Sequence, residues 1–378
     1  MSGLRSLISW TAAALLALLL AGGLASGRGT AWLGGFRGLD RQINQVLLGH
    51  AAVVMAEAPP VRRPAPAVPA VASTGLPPGM VLGYFYDPGN APGPVAMLKP
   101  YLSVLTGIVP FWYQINAHGN IAGSTDPAVL KLARQHHLWT FALVQNMVGQ
   151  PVFGPLLNSP QSRMRAVNNM LTLVESNGYN GVNLDWEGIA PQERRQFSTF
   201  VRELAKTFHQ HGYYVTLSIP AETQNQPNNS WTGAYNLKAL GQYADLIMIM
   251  AYDQHYAGGS PGPIASVNWV RDVLNYTISV IPPSKVILGI PGYGYDWSSS
   301  GPAVALSYGQ AESLAAQYGA SKSANHFIYM QGGQLHSVWF ENTQSLLSNI
   351  NLVPGYELRG VALWRLGIED PKIWDFLQ

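Results

Sequence analysis

Eight short, β-rich apolar runs separated by stretches of helical periodicity fill the chain from Met80 onward. They are Met80–Tyr86, Thr106–Trp112, Leu138–Val144, Gly181–Trp186, Tyr214–Pro220, Ala244–Tyr252, Val286–Tyr293 and Gly360–Leu366. Strict alternation of strand and helix implies parallel strands, and eight repeats over roughly 300 residues is the count of an α/β chain folded as a (β/α)8 TIM barrel. Two of the helices are legible at once. In Pro191–His211, Phe197, Phe200, Val201, Leu204 and Phe208 share one face, with Pro191 at the start and Gly212 at the stop; Val267, Val270, Val273 and Leu274 do the same in Ser266–Val280. An open doubly wound sheet is the alternative, but no Gly-rich phosphate turn follows any run. The stretch Ser298–Phe340 is too long for one crossover, so a small α+β insertion between strands 7 and 8 is expected.

The 378-residue chain opens in a different texture: Arg5 precedes an uncharged apolar run from Leu7 to Ala25 that ends in small residues. This is an export signal peptide or an N-terminal membrane anchor, and its length fits either. Arg28, Arg37 and Arg41 behind the run oppose translocation, but the apolar run itself favours export. The expectation is an exported protein, extracellular or held at the cell envelope or spore, with membrane or cell-wall association through this segment. Gln42–Ala56 reads as a short apolar helix and 59–78 as a Pro/Ala tether without a core. The division is therefore 1–27 signal or anchor, 28–78 linker and 79–378 barrel.

Composition excludes several chemistries. Lys and Arg total 22 against 20 for Asp and Glu, a net charge of +2, so no basic field exists for nucleic acid, and none is expected as a partner. With Cys 0, thiol catalysis, disulfides and thiolate metal sites are ruled out.

In a barrel of this kind chemistry is built where strands end. The fourth run reads Asn180-Gly181-Val182-Asn183-Leu184-Asp185-Trp186-Glu187. Alternation turns Asn183, Asp185 and Glu187 to the inner face and Val182, Leu184 and Trp186 toward the helices. Two acids on one interior face must be paired, protonated or functional. A solvated strand end with a helix-capping Glu is the blander reading, but like charges two apart on a strand disfavour each other.

This octapeptide resembles the D-x-x-D-x-D-x-E signature of family 18 glycoside hydrolases, the chitinase-like enzymes, with Asn180 and Asn183 at two acidic positions. The resemblance continues in Met250-Ala251-Tyr252-Asp253, in Gly289-Ile290-Pro291-Gly292-Tyr293-Gly294-Tyr295 and in Trp364, and it covers Met80 to Gln378. It is nearest to the spore germination and cortex-lytic peptidoglycan hydrolases, without their LysM repeats. What the resemblance implies is substrate-assisted catalysis, an exception to the two-carboxylate scheme. Glu187 would be general acid and then base, Asp185 would orient the substrate's 2-acetamido group, and Tyr252 would bond its oxygen. Neither cofactor nor metal is implied. Asn183, Asp253, Trp364, Tyr84, Trp112, Gln145, Asn146, Glu222 and Tyr293 are the expected substrate contacts, since flat aromatics stack on sugar faces and amides bond hydroxyls. For a single aromatic, core packing is the commoner role, and Asp253 and Glu222 also suit local pairing with backbone or Arg groups.

Two patterns are decoys. Gly258-Gly259-Ser260-Pro261-Gly262 matches G-x-S-x-G but lacks the strand before and the helix after that a nucleophile elbow needs. His209 and His211 lie two apart on a helix end and face different directions. The expected function is hydrolysis of β-1,4 bonds at N-acetylglucosamine residues of peptidoglycan, by a monomer. Chitinase action on chitin oligomers and a non-catalytic sugar-binding barrel are the rivals.

Overall fold

The computed structural model describes residues 76–87, 93–147, 151–299 and 301–377. The expected export segment, the short apolar helix and the tether up to residue 75 lie outside the described residues. Eight parallel strands close a barrel: β1 (Met80–Phe85), β2 (Gly107–Ile115), β3 (Trp139–Asn146), β4 (Gly181–Asp185), β5 (Tyr214–Pro220), β6 (Leu246–Met250), β7 (Val286–Pro291) and β8 (Gly360–Trp364). Closure comes from β1, which pairs with β8 from Met80↔Gly360 to Gly83↔Leu363 and with β2 from Leu82↔Gly107 to Phe85↔Pro110. The TIM barrel read from the eight apolar runs is the fold.

Alternation along each strand divides the apolar residues into two cores. Met80, Leu82, Val109, Phe141, Leu143, Met248 and Ile287 fill the barrel interior. Val182, Leu184, Val215, Leu217 and Leu288 face outward against the helices. The helix Arg194–Gln210 buries Phe197, Phe200, Val201, Leu204 and Phe208, and Trp186 stacks on Phe200 with ring centroids 4.7 Å apart. Each such side chain contributes roughly 1.5–3 kcal/mol of burial, which fixes the segment just before Glu187 to the helical shell.

Three boundaries differ from the sequence reading. Leu76 packs against the interior core and its carbonyl accepts from Arg359 Nη1 at 2.8 Å, so the fold takes in the last residues assigned to the linker. The seventh run is two strands: β7 stops at Pro291, and Tyr293–Ser298 belongs to the insertion, whose antiparallel sheet is completed by Val304–Ser307, His326–Gln331 and Gln334–Phe340, with the helix Tyr308–Gln317. The break falls at Gly292, where a Cβ would lie 3.0 Å from that of Glu369. Lastly, the pairing of β2 with β3 shifts between Phe111 and Tyr113. This bulge interrupts alternation, placing Trp112 and Tyr113 together on the outer side while Phe111 remains inside.

Candidate active site

The mouth of the barrel at the strands' C-terminal ends gathers most of the residues expected there. Asp185 is the last residue of β4 and is 7% exposed. Glu187 lies two residues beyond it, half-buried, and its backbone N–H donates to Asn146 Oδ1 at 3.1 Å. Gln145 stands beside Asp185 in the β3–β4 register. Tyr252 and Asp253 follow β6, and Trp364 ends β8, joined to Arg365 by a cis peptide bond.

Below Asp185 the interior is polar and saturated. Asn183 is fully buried; its Nδ2 donates to Thr216 Oγ1 at 3.0 Å and its Oδ1 accepts from Ser218 Oγ at 3.0 Å. Because the Ser218 proton goes to Asn183, the Tyr84 hydroxyl, 2.7 Å from Ser218 Oγ, donates to it and toward Met248 Sδ at 3.2 Å. Asn180, the other neutral position of the motif, accepts from the Thr140 backbone N–H at 2.8 Å and serves the barrel wall.

Charge is concentrated at the mouth. Burial lifts Asp185 above the usual carboxylate range. Glu187 is lifted by burial first, then by the negative charges of Asp185 and Asp253. Asp253 occupies the left-handed region at φ 58 and accepts from Tyr293 and Tyr295 hydroxyls at 2.5 and 3.1 Å. Those bonds lower its proton affinity, but burial outweighs them. Tyr252 is held well above the ordinary phenol range by burial, then by Tyr84, Asp185, Glu187 and Asp253, the groups among which it stands. Asp185 Oδ1 is among the buried side-chain atoms without a protein partner, as are the carboxylate oxygens of Glu222.

The aromatic floor is Trp364, in edge contact with Tyr84 at 5.2 Å and with Phe111 at 5.5 Å. Trp112 is not part of it. Phe111 takes the inner place, and alternation turns the Trp112 ring outward against Phe85, centroids 6.1 Å apart. Glu222 lies two residues past β5 beside Thr232 and Arg194, which offset part of a burial effect that pushes it up to about 7, and its charge reaches Tyr235. The decoys are absorbed locally: Gly258–Gly262 stays in a loop, His209 Nε2 pairs with Asp245 at 3.0 Å, and His211 Nδ1 bonds the Thr207 carbonyl. Among the described residues no three His, Asp or Glu side chains gather as metal ligands.

The model of glycosyl hydrolases family 18 matches residues 130–369. The chain belongs to this family. Within family 18 it is 31% identical over 286 residues to YdhD of Bacillus subtilis, named as a sporulation-specific glycosylase, covering 71% of this chain and 68% of that protein. It is 27% identical to the cortical fragment-lytic enzyme of the same organism, covering 73% and 67%. Among solved structures, a chitinase from Chromobacterium violaceum shares 30% identity at a TM-score of 0.74, covering 79% of this chain and 98% of that one. The spore cortex-lytic enzyme SleL of Bacillus cereus shares 26% at a TM-score of 0.72, covering 79% and 73%. The protein is a glycoside hydrolase acting on N-acetylglucosamine-containing polysaccharide.

Sequence reasoning did not single out Phe111, Gln114, Ser218 or Tyr235 for this family 18 site. Ser218 and Phe111 were open to discovery as inward positions of β5 and β2, but Gln114, beside Gln145 in register, is inward only because of the bulge. Tyr235 comes from an irregular loop with no periodicity to read.

Proposed function

We propose that the protein cleaves β-1,4 bonds on the reducing side of N-acetylglucosamine residues in peptidoglycan, with retention of configuration, using the substrate's own acetamide as nucleophile. Glu187, kept protonated by its surroundings, donates to the glycosidic oxygen while the acetamide carbonyl attacks the anomeric carbon and the leaving sugar departs with the proton. Asp185 accepts the acetamide N–H and balances the positive oxazolinium, and the Tyr252 hydroxyl donates to the acetamide oxygen. Glu187, now a carboxylate, takes a proton from the water that reopens the ring. Trp364 and Phe111 form the floor for the sugar face.

The observation that carries this reading is the buried, donorless Asp185 Oδ1 two residues from the raised Glu187. A buried acceptor without a partner costs roughly 1–3 kcal/mol, and an amide N–H at that point removes the deficit. The choice of peptidoglycan is supported by the cortex-lytic relatives, and with it an exported, spore- or wall-associated protein whose catalytic unit is the barrel. Chitin cleavage is the second reading, favoured by the 30% identity to the Chromobacterium chitinase. Mass spectrometry of products from spore-cortex peptidoglycan, vegetative peptidoglycan and chitin oligomers, incubated in parallel, tests both. Fragments ending in reducing N-acetylglucosamine from peptidoglycan are expected; cleavage of chitin oligomers alone replaces the first reading with the second.

A further inference from the structure

The peptide unit joining Trp186 to Glu187 lies past the end of the sheet ladder. Register between β3 and β4 ends at Gln145↔Asp185, and between β4 and β5 at Leu184↔Leu217. A buried peptide group left without ladder partners needs others. Here side chains from the segments flanking β4 continue the pattern: Asn146 Oδ1 accepts the Glu187 N–H at 3.1 Å, and the Tyr235 hydroxyl donates to the Trp186 carbonyl at 2.6 Å. The two bonds grip opposite edges of the one peptide that carries the candidate acid.

Tyr235 is itself fixed. It is fully buried, with its ring edge-on to Phe197 at 5.7 Å. Its backbone carbonyl accepts from Arg194 Nη1 at 2.9 Å, and the same nitrogen holds Gly233 O at 2.6 Å. Arg194 begins the helix that packs on Trp186 through Phe197 and Phe200. The loop bearing Tyr235 and the strand end bearing Glu187 are thus tied to one helix.

We infer that Tyr235 and Asn146 are positioning residues that clamp the Trp186–Glu187 peptide and so hold the Glu187 carboxyl in line with the glycosidic oxygen. This rests on Glu187 being the general acid, and it gives Asn146 a role through the backbone rather than as a substrate contact. The clamp matters only where proton delivery matters. A sugar leaving group must be protonated as it departs, whereas nitrophenolate leaves without help. Loss of the clamp therefore lowers the rate for the first kind of substrate and spares the second, a distinction that general loosening of the fold does not produce.

The test compares kcat/KM on tetra-N-acetylchitotetraose with kcat/KM on para-nitrophenyl di-N-acetylchitobioside, for wild type, Tyr235→Phe and Asn146→Ala. The first-step constant is used because it stops at departure of the leaving group. Tyr235→Phe removes one hydroxyl and keeps the ring. It is expected to lose about 10- to 100-fold on the oligosaccharide, as displacement of a reacting group by about 1 Å can, and under about threefold on the aryl glycoside. Asn146→Ala, at the other edge of the same peptide, is expected to show the same split, and it carries the test alone if Tyr235→Phe fails to fold. Equal losses on both substrates, or no loss on either by a folded variant, overturn the clamp while leaving Glu187 as the acid. Wild-type inactivity on both of these substrates and on peptidoglycan overturns the glycosidase reading and the clamp together; if peptidoglycan alone is cleaved, a Tyr235→Phe rate on it equal to wild type overturns the clamp. Retention of oligosaccharide turnover by Glu187→Gln removes the acid assignment on which the clamp depends.

Discussion

Glu187→Gln separates what the candidate acid does for catalysis from what it costs the fold. In the folded protein burial and the charges of Asp185 and Asp253 keep Glu187 protonated above its usual range. In the unfolded chain the same carboxyl ionises near the ordinary glutamate value of about 4.3. Between those two points the folded state holds a proton that the unfolded state releases. Wild-type stability therefore falls as pH rises through this window, by up to about 1.4 kcal/mol per pH unit for one group, and levels off above the folded-state value. Glutamine has no proton to release. The variant should match wild type near about pH 4 and become the more stable protein as pH rises, the gap widening by about 2 kcal/mol between about pH 5 and pH 7. Urea unfolding followed by tryptophan fluorescence at about pH 5, 6 and 7 measures the two slopes. Turnover of a glycan with an unactivated leaving group should fall about 10²–10⁴-fold in the same variant. Equal pH slopes, or a variant less stable than wild type near neutrality, would falsify the claim that folding holds the proton on Glu187. Turnover within a few-fold of wild type would remove it as the acid.

Other outcomes follow from the same geometry. Glucosyl analogues lacking the 2-acetamido group should not be hydrolysed, and thiazoline mimics of the oxazoline should inhibit competitively; comparable hydrolysis of glucosyl and N-acetylglucosaminyl substrates refutes substrate assistance. Trp364→Ala or Phe111→Ala should raise KM by about 3- to 10-fold, the size of a lost aromatic contact of roughly 0.5–1.5 kcal/mol, while Trp112→Ala leaves KM unchanged; a KM effect at Trp112 alone would place the sugar on the wrong side of β2. A fragment comprising residues 76–378 should be soluble and active, because Leu76 already packs under the barrel; aggregation of that fragment when the chain from residue 28 is soluble shows that the tether contributes to the fold.

The barrel was legible because its signals are local. Period-two alternation in Gly181–Asp185 turns Asn183 and Asp185 inward whatever the rest of the chain does, and the face of Phe197, Phe200, Leu204 and Phe208 follows from helical geometry alone. The same locality put Asp185 and Glu187 at one strand end and allowed the family signature to be read. Tyr113 shows where that reasoning stops. Strict alternation from Phe111 onward would turn Trp112 and Tyr113 to opposite faces, whereas the bulge puts both outside, a feature of pairing with β3 rather than of either residue.

The sequence by itself determined the eight strands, their inward positions and the pair of acids; tertiary structure decided the state and setting of those acids. Asp253 receives its two hydroxyl bonds from Tyr293 and Tyr295 of the insertion, and Asn183 receives its partners from β5. Asn146 turns to the Glu187 backbone, and Tyr235 reaches the same peptide from a loop without pattern. Backbone alternation is a property of a few consecutive residues, so a sequence records it. Proton affinity and orientation at the barrel mouth arise from water excluded and charges brought close by distant segments, and these exist only once the barrel has closed.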